Sequence, residues 1–196
     1  FRSAGKAPAE GTSCLWNPAL MGGHGLVPNE DFGDATPFAV GLFHTGGAGA
    51  RPKKDGLSAT AFPSGVRNTP VEINESIAPI VVWRKEYRPD SGGPGEYRGG
   101  TGQIMEIASA EGAPFAIAAT FDRVHHAPRG REGGLDGFTG KIELKSGTAL
   151  RNKGTQSIPR GDSLHLEMPG GGGYGDPKAR DPELVAMDVR DGMVSA

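Results

Sequence analysis

This chain of 196 residues carries 33 glycines and 16 prolines, and its formal net charge at neutral pH is −2. A quarter of the chain is therefore helix-breaking or turn-forming, which disfavours a helical bundle and favours long loops. The small net charge gives no reason to expect a nucleic acid or an anionic membrane as a partner. No apolar run reaches the roughly 20 residues of a membrane-spanning helix. The single cysteine, Cys14, excludes an internal disulfide and fits a reducing, cytoplasmic compartment.

The first segment, residues 1–36, shows no sustained hydrophobic period and is rich in glycine, proline and acidic residues. We predict an irregular arm, or the end of a preceding domain, ahead of a β-rich domain at residues 37–180. Trp16, Leu20 and Leu26 are expected to anchor this arm on a core that the chain does not contain. Such an arrangement would leave apolar surface exposed on this chain.

Six short segments in the central region are typical of β-strands. They are rich in β-branched and aromatic residues or alternate between apolar and polar, and they cover residues 38–43, 75–87 (densest at 80–83), 103–107, 115–121, 140–144 and 163–168. Turn signals separate them, which predicts a mainly β fold, an antiparallel sandwich or barrel-like arrangement with long glycine-rich loops. The long loop at residues 88–102 joins two of these strands in a hairpin-like arrangement and is expected to project from the sheet.

The only convincing helix begins near the end of the chain and covers residues 181–196. Asp181 can cap it, Pro182 suits its first turn and Glu183 favours its positive end. Its apolar side is predicted to contain Leu184, Val185, Val189 and Met193. The chain is expected to stop inside this helix.

Four consecutive glycines, Gly170 to Gly173, follow the last predicted strand and are followed by Tyr174 and Asp176. Glycine costs roughly 0.5 to 1 kcal/mol relative to alanine inside regular structure, so the run indicates positive φ angles and close backbone approach. Exposed N–H groups in such a run can form an anion-binding nest. The lysine and hydroxyl spacing of a nucleotide-binding loop is missing, however, which favours a tight structural turn at an interface.

The loop at residues 88–102 places Arg88, Asp90 and Arg98 between two strands, where rigid sheets commonly hold functional residues. Paired arginines can clamp a carboxylate or a phosphate through forked donors. The structural alternative is that Asp90 caps the turn that starts at Ser91, while the two arginines pair across the hairpin. Both interpretations stay open from the residues alone.

A second group of polar residues, Asp122, Arg123, His125 and His126, lies at the end of a predicted strand. Histidine suits proton transfer near neutral pH, and a neighbouring carboxylate can orient it. The alternatives are a structural pair of Asp122 with Arg123 beside solvent-facing histidines, or a metal site. Adjacent histidines on an extended segment point to opposite faces, and the spacing offers no second ligand pair. His165, inside the last strand, is expected to be a packed or surface residue.

Five motifs in fixed order resemble the hydantoinase B/oxoprolinase family. They are RPDSGGPGEYRGG at residues 88–100, PGGGGYGDP at residues 169–177, RNTPVE at residues 67–72, the FDR at residues 121–123 with the Pro128, Gly130, Gly133 and Gly134 that follow it, and the glycine-rich stretch at residues 46–56. The resemblance runs nearly continuously from Gly46 to Ser195. It identifies the chain as similar to the C-terminal part of an N-methylhydantoinase B-type subunit.

This resemblance implies an enzyme that couples ATP hydrolysis to the opening of a cyclic amide such as 5-oxoproline or a hydantoin. ATP is expected on an A-type partner subunit or domain, and a divalent metal is expected on the N-terminal remainder of the B-type subunit. This chain alone is therefore expected to be inactive. The alternatives are a subunit of an ATP-dependent ketone carboxylase and a non-catalytic scaffold that docks the A-type partner.

The resemblance and the loop placement together imply a set of site residues. Catalytic roles are expected for Arg88, Asp90, Arg98, Asp122 and Arg123, substrate contacts for Ser91, Gly92, Tyr97 and His125, and a structural or interface role for Gly170, Gly171, Gly172, Gly173, Tyr174 and Asp176. Arginines or backbone donors of these loops would stabilise developing negative charge on the substrate. No metal ligand is expected in this chain.

Overall fold

Two four-stranded antiparallel sheets form the protein, whose computed structural model describes residues 7–12, 16–60 and 69–195. In chain order the elements are β1 (Ala19–Gly22), β2 (Phe38–Gly41), α1 (Val71–Ile77), β3 (Ile80–Tyr87), β4 (Gln103–Ser109), β5 (Phe115–Thr120), β6 (Lys141–Leu144), β7 (Lys153–Ile158), β8 (Leu164–Glu167) and α2 (Pro182–Arg190), with a 3-10 turn at Pro177–Ala179 before α2. The first sheet has the strand order β2-β1-β5-β7 and the second has β3-β4-β8-β6.

One hydrophobic core lies between the two sheets. The first sheet contributes residues such as Leu20 and Ile117, and the second contributes Met105, Ile107 and Leu166 to the same buried cluster. Period-two alternation explains how: along β4 and β8 every second side chain is buried, and the residues between them face the other side of the second sheet. The prediction of a mainly β antiparallel sandwich is confirmed.

All six predicted strands are present, but two strands were missed. β1 (Ala19–Gly22) is only four residues long and is followed by Gly23 and Gly25, so local patterns favour a loop. It is nevertheless an inner strand, paired with both β2 and β5. β7 (Lys153–Ile158) is an edge strand of mostly polar residues in which only Ile158 is buried, so its sequence carries no alternation.

The N-terminal segment supplies part of this core, contrary to the expectation for its apolar residues. Trp16 and Leu20 are almost completely buried, and the indole of Trp16 stacks on Phe121 with ring centroids 4.4 Å apart. Leu26 is 49% exposed. The expectation that these side chains pack on a core outside this chain is therefore wrong for Trp16 and Leu20. The division of the chain at residues 36 and 180 stays a prediction, and Cys14 and residues 67–68 of the RNTPVE motif lie outside the described residues.

The helices also differ from the prediction. α1 (Val71–Ile77) was missed because it is short, begins after Pro70 without a side-chain cap and exposes Ile73 and Ile77. α2 begins as predicted, with the Asp181 carboxylate accepting a hydrogen bond from the N–H of Glu183 at 2.9 Å. It ends at Arg190, however, because Gly192 at φ +68° turns the chain back.

The side of α2 that packs inward is also different from the predicted one. Leu184 is half-buried and Asp188 is buried, whereas Val185 and Val189 are exposed. The predicted apolar side is therefore largely at the surface. The cause is a pair of interior arginines, Arg98 and Arg180, that bind Asp188.

The loop at residues 88–102 connects β3 to β4, which pair as a hairpin from Tyr87 and Gln103 onward. The prediction of a hairpin is confirmed, but the loop does not project from the sheet. Most of it is buried, including Ser91, Gly92 and residues 98–102. It packs against the tetraglycine and against other glycine-rich segments, because backbone segments made of glycine have no Cβ and can approach one another closely.

Candidate functional site

A layer of glycine-rich segments lies beside the two sheets, and most of it is buried except at residues 129–136. We call it the glycine layer and define it as residues 46–50, 91–95, 98–102, 129–137 and 170–173. The central run is the tetraglycine, whose four N–H groups donate to the carbonyl oxygens of Phe138 at 3.2 Å, Gly100 at 2.8 Å, Glu10 at 2.8 Å and Leu135 at 2.9 Å. Because all four donors are used inside the protein, the run does not present an anion-binding nest.

Close backbone approach, rather than backbone angle, explains why these four positions are glycine. A Cβ at Gly170 would lie 1.8 Å from the carbonyl oxygen of Ser91, and one at Gly171 would lie 2.0 Å from that of Ala48. None of the four has a φ in the left-handed region, which occurs only at Gly175 (φ +76°) in the following turn. The prediction of close approach agrees with this packing, and that of positive φ is wrong for the run itself.

Arg88 lies at the start of the loop and binds elements far along the chain. Its Nη1 donates to the carbonyl oxygen of Thr139 at 2.7 Å, and its Nη2 is 2.8 Å from Glu167 Oε2. Its guanidinium carbon is 5.9 Å from the centre of the Phe138 ring. Burial lowers the pKa of Arg88, while the Glu167 carboxylate opposes that effect. Arg88 therefore ties the loop to the end of β8.

Arg98 belongs to a separate ion-pair network. Its Nε is 3.2 Å from Asp188 Oδ2, and its backbone N–H donates to Asp55 Oδ1 at 2.7 Å. Arg180 links the same two carboxylates, at 2.8 Å from Asp55 Oδ2 and 2.6 Å from Asp188 Oδ2. Burial raises the pKa of Asp55, but the hydrogen bonds and charges of Arg180 and Arg98 outweigh it and the net pKa is lowered. The two loop arginines thus bind different carboxylates and do not pair across the hairpin.

The other predicted residues of the loop make local contacts. Asp90, at φ +60°, is exposed and accepts a hydrogen bond from the N–H of Ser195 at 2.8 Å. The hydroxyl of Ser91 donates to the Arg88 carbonyl at 2.6 Å and accepts from the N–H of Gly102 at 2.8 Å, which closes the loop. A Cβ at Gly92 would lie 2.1 Å from the Gly99 carbonyl oxygen.

Tyr97 and Tyr174 join the loop to the turn after the tetraglycine. Their backbones exchange two hydrogen bonds, both of 2.9 Å. A hydrogen bond with Glu96 raises the pKa of the Tyr97 hydroxyl. Asp176 accepts from the N–H of Lys178 at 2.9 Å and so begins the 3-10 turn. In this structure Tyr174 and Asp176 therefore order the turn.

Asp122 and Arg123 do not pair with each other, contrary to the structural alternative. Asp122 Oδ1 is 2.7 Å from Lys153 Nζ, and Arg123 Nη1 is 3.0 Å from Glu10 Oε2. Glu10 also binds Arg129, whose hydrogen bonds are the main reason that the pKa of Glu10 is lowered to about 2. His125 and its neighbour His126 are exposed. The residues of this second group therefore point into different surroundings.

A polar face of the second sheet was not predicted as a site. Glu106, His165 and Glu143 are directly opposite one another across β4, β8 and β6, and Glu167 lies two residues after His165. Nitrogen or oxygen atoms of Glu143, His165 and Glu167 all lie within 4.8 Å of one another. The signal in the sequence was the polar half of each strand's alternation, which does not reveal which strands are neighbours.

Imidazole and carboxylate groups at this spacing are possible ligands for a divalent cation. Two cations already neutralise the carboxylates, however: Lys141 Nζ is 2.7 Å from Glu143 Oε1, and Arg88 is 2.8 Å from Glu167. A metal ion here would face both positive charges at short range. The residues therefore fit a metal poorly, and the expectation that the family's metal ligands lie outside this chain stays a prediction.

A cleft of about 560 Å³ lies at the β3–β4 hairpin, on the face of the sheet opposite the polar face that contains Glu106. It is lined by Ser58, Ala59, Thr60, Lys85, Glu86, Tyr87 and Gln103. Its volume is in the range of small-molecule sites. Sequence reasoning missed it because Lys85 was seen only as one member of an alternating strand, and Ser58 and Thr60 come from a distant loop.

These features define a β-sandwich domain with glycine-rich segments packed backbone against backbone. The chain belongs to the hydantoinase B/oxoprolinase family, whose family model matches residues 3–177. A B-type hydantoinase relative, the putative D-/L-hydantoinase component of Pseudomonas sp. (strain NS671), is 35% identical over 160 residues, which cover 76% of this chain and 26% of that protein. The 5-oxoprolinase 1 of Arabidopsis thaliana is 35% identical over 158 residues, 77% of this chain and 12% of that protein.

A third relative, the caprolactamase beta chain of Pseudomonas jessenii, is 31% identical over 166 residues, 76% of this chain and 27% of that protein. The chain thus spans about a quarter of the two bacterial relatives and about an eighth of the plant protein. Two solved structures share the fold over 96% of this chain: the ATP-dependent caprolactamase from Pseudomonas jessenii (TM-score 0.73, 24% identity, 33% of that chain) and a nucleotide-free acetone carboxylase (TM-score 0.70, 23% identity, 29% of that chain). In the described part of this chain no helix has the length and apolar character needed to cross a membrane.

Proposed function

We propose that this chain is part of the B-type subunit of an ATP-dependent cyclic amide hydrolase. The observation that carries the proposal is agreement among relatives: a hydantoinase component, a 5-oxoprolinase and a caprolactamase component all match about three quarters of the chain at 31–35% identity. Each of these names denotes opening of a cyclic amide. The shared chemistry is therefore hydrolysis of a ring C–N bond.

An amide carbonyl is a poor electrophile, and transfer of a phosphoryl group from ATP to its oxygen would create a good leaving group. Both structural neighbours are named for an ATP-dependent reaction, which supports ATP use. We expect the ATP to bind to an A-type partner. The B-type chain would then bind and position the activated substrate. Developing negative charge needs fixed donors, since donors that do not reorganise stabilise a transition state best.

The first test is ADP release by the complete B-type protein together with its A-type partner and a divalent metal. We expect release with 5-oxoproline, hydantoin or caprolactam, and none with acetone and bicarbonate. Release only with acetone and bicarbonate would move the protein to ketone carboxylation. No release with any cyclic amide would contradict the proposal.

A second candidate function, a non-catalytic scaffold, is favoured by one specific observation. The guanidiniums of Arg88, Arg98 and Arg123 each bind a carboxylate of this chain, and the tetraglycine N–H groups bind its carbonyl oxygens. Donors that are engaged in this way hold the fold. The catalytic roles of Arg88, Asp90, Arg98, Asp122 and Arg123, and the substrate contacts of Ser91, Gly92, Tyr97 and His125, stay predictions.

Substitution of Arg88 separates the two candidates. Arg88→Ala is measured for ADP release and for assembly with the A-type partner by size-exclusion chromatography, with Arg160→Ala, an exposed arginine, as the matched control. Loss of turnover in an intact complex supports a role at the site. Loss of the complex, with Arg160→Ala unaffected, supports the scaffold.

A further inference from the structure

The cleft beside the β3–β4 hairpin is built from two separate parts of the chain. Ser58 and Thr60 form one wall, and the end of β3 with Lys85 and Tyr87 forms the other. Gln103, which is 3% exposed, lies where β4 begins. Hydroxyl, ammonium and amide groups therefore line one cavity together with Ala59 and the Tyr87 ring, and a few polar groups in such a cavity can orient a small ligand.

Hydrogen bonds to the neighbouring backbone hold these groups in place. The Ser58 hydroxyl oxygen accepts from the N–H of Thr101 at 3.0 Å, and the Thr60 hydroxyl donates to the Ser58 carbonyl at 3.1 Å. The Gln103 amide donates to the Thr45 carbonyl at 2.8 Å. Because Ser58 is the acceptor in its bond, its own hydroxyl hydrogen can point to a ligand.

Lys85 differs from the interior arginines in its partners. Its Nζ donates to the backbone carbonyl of Thr69 at 2.8 Å, and no carboxylate oxygen of the described residues lies within 4.0 Å of it. It is half-buried, and burial lowers its pKa, while the charge of Glu72 acts in the opposite direction. By contrast, Arg88, Arg98 and Arg180 each form an ion pair inside the chain.

A half-buried cation that forms no ion pair with the described residues favours an anionic ligand, because the ligand replaces hydration that the protein has removed. We propose that this cleft binds the carboxylate of a small substrate, with Lys85 as its counter-ion and the Ser58 hydroxyl as a second donor. The identity of that substrate rests on the proposed function. 5-Oxoproline carries a carboxylate next to its ring and caprolactam does not, so Lys85 would select for 5-oxoproline.

Calorimetric binding without nucleotide tests this inference independently of turnover. The complete protein is titrated with 5-oxoproline and with 2-pyrrolidone, which has the same ring without the carboxylate. We expect Lys85→Gln, which keeps a donor for Thr69, to weaken 5-oxoproline binding about 10- to 100-fold, the effect of losing a hydrogen bond to a charged group. Binding of 2-pyrrolidone should not change.

Two control variants and one competition complete the experiment. Lys178→Met, at an exposed lysine, should bind 5-oxoproline as the unmodified protein does, and Lys85→Arg should restore part of the lost affinity. Acetate should displace 5-oxoproline, whereas displacement by inorganic phosphate alone would contradict a carboxylate site. Equal binding of 5-oxoproline by the Lys85→Gln and unmodified proteins would overturn the inference. The ADP-release assay with caprolactam or hydantoin can succeed in that case, so failure here is distinct from failure of the proposed function.

Discussion

Single glycine residues decide how closely the segments of the glycine layer can approach. At Gly171 the neighbouring chain is so near that a Cβ would meet the Ala48 carbonyl oxygen at 2.0 Å and its carbonyl carbon at 2.3 Å. These atoms belong to the backbone and cannot move away as the end of a flexible side chain can. The requirement for glycine at this residue is therefore steric. Its φ is not in the left-handed region, so a special backbone angle does not explain the glycine.

Gly171→Ala should destabilise the protein by about 3 kcal/mol, because one added methyl group forces two backbones apart in a close-packed layer. Gly41→Ala is the matched control: no atom of the described residues lies within 4 Å of a Cβ there, and its φ is not in the left-handed region. We expect Gly41→Ala to change the free energy of unfolding by less than about 0.5 kcal/mol. Urea denaturation followed by circular dichroism measures both, and equal effects would contradict the steric account.

At the scale of elements, α2 (Pro182–Arg190) is held by charge rather than by an apolar side. Asp188 is 8% exposed and binds Arg180 and Arg98, while Val185 and Val189 are exposed. Arg180 in turn binds Asp55, and that hydrogen bond is the first reason that its pKa is raised. The helix is thus attached to the glycine layer through a network of two arginines and two carboxylates.

Asp188→Ala should lower the free energy of unfolding by about 3 to 5 kcal/mol, because it leaves two interior arginines with one carboxylate fewer. Asp191→Ala removes an exposed carboxylate that binds the exposed Arg190 and should cost less than about 1 kcal/mol. Hydrogen exchange of the α2 amides, together with urea denaturation, compares the two variants. Unchanged exchange in Asp188→Ala would show that the network does not hold the helix.

At the scale of the whole molecule, the N-terminal segment and the two sheets share one core. Trp16 stacks on Phe121 with an interplanar angle of 3°, and its indole N–H donates to the Asp122 carbonyl at 3.1 Å. A Cβ at Gly140 would lie 2.1 Å from the indole ring, so this glycine makes room for the tryptophan. β1 then continues from this anchor into the first sheet.

Trp16→Ala should destabilise the protein by about 3 to 5 kcal/mol through the cavity left in this core. Trp83→Ala is the matched control, because Trp83 is 68% exposed and a surface substitution of this kind changes stability by about 0.5 kcal/mol or less. Both variants remove a tryptophan, so unfolding is followed by far-ultraviolet circular dichroism during thermal denaturation and not by tryptophan fluorescence. A small effect of Trp16→Ala would mean that the N-terminal segment contributes little to the core.

Local patterns were sufficient for much of the fold. Six of the eight strands within residues 7–12, 16–60 and 69–195, the start of α2 and the β3–β4 hairpin followed from alternation, turn residues and the cap at Asp181, since neighbouring residues encode these features. β7 and α1 were not predicted, because a polar edge strand and a seven-residue helix lack a distinctive hydrophobic period.

By itself, then, the sequence determined six of the eight strands found in the described residues and the family, because alternation and motif order are read along the chain. Only the tertiary structure decided what the charged residues do. Arg180 binds Asp55 from 125 residues away, and Glu10 binds Arg129 across 119 residues. Ion pairs form between residues that are close in space, and each positively charged side chain has many carboxylates in the sequence with which it could pair. The sequence therefore does not reveal which pair forms. The same holds for the tetraglycine, whose need for glycine arises from distant backbones that pack against it.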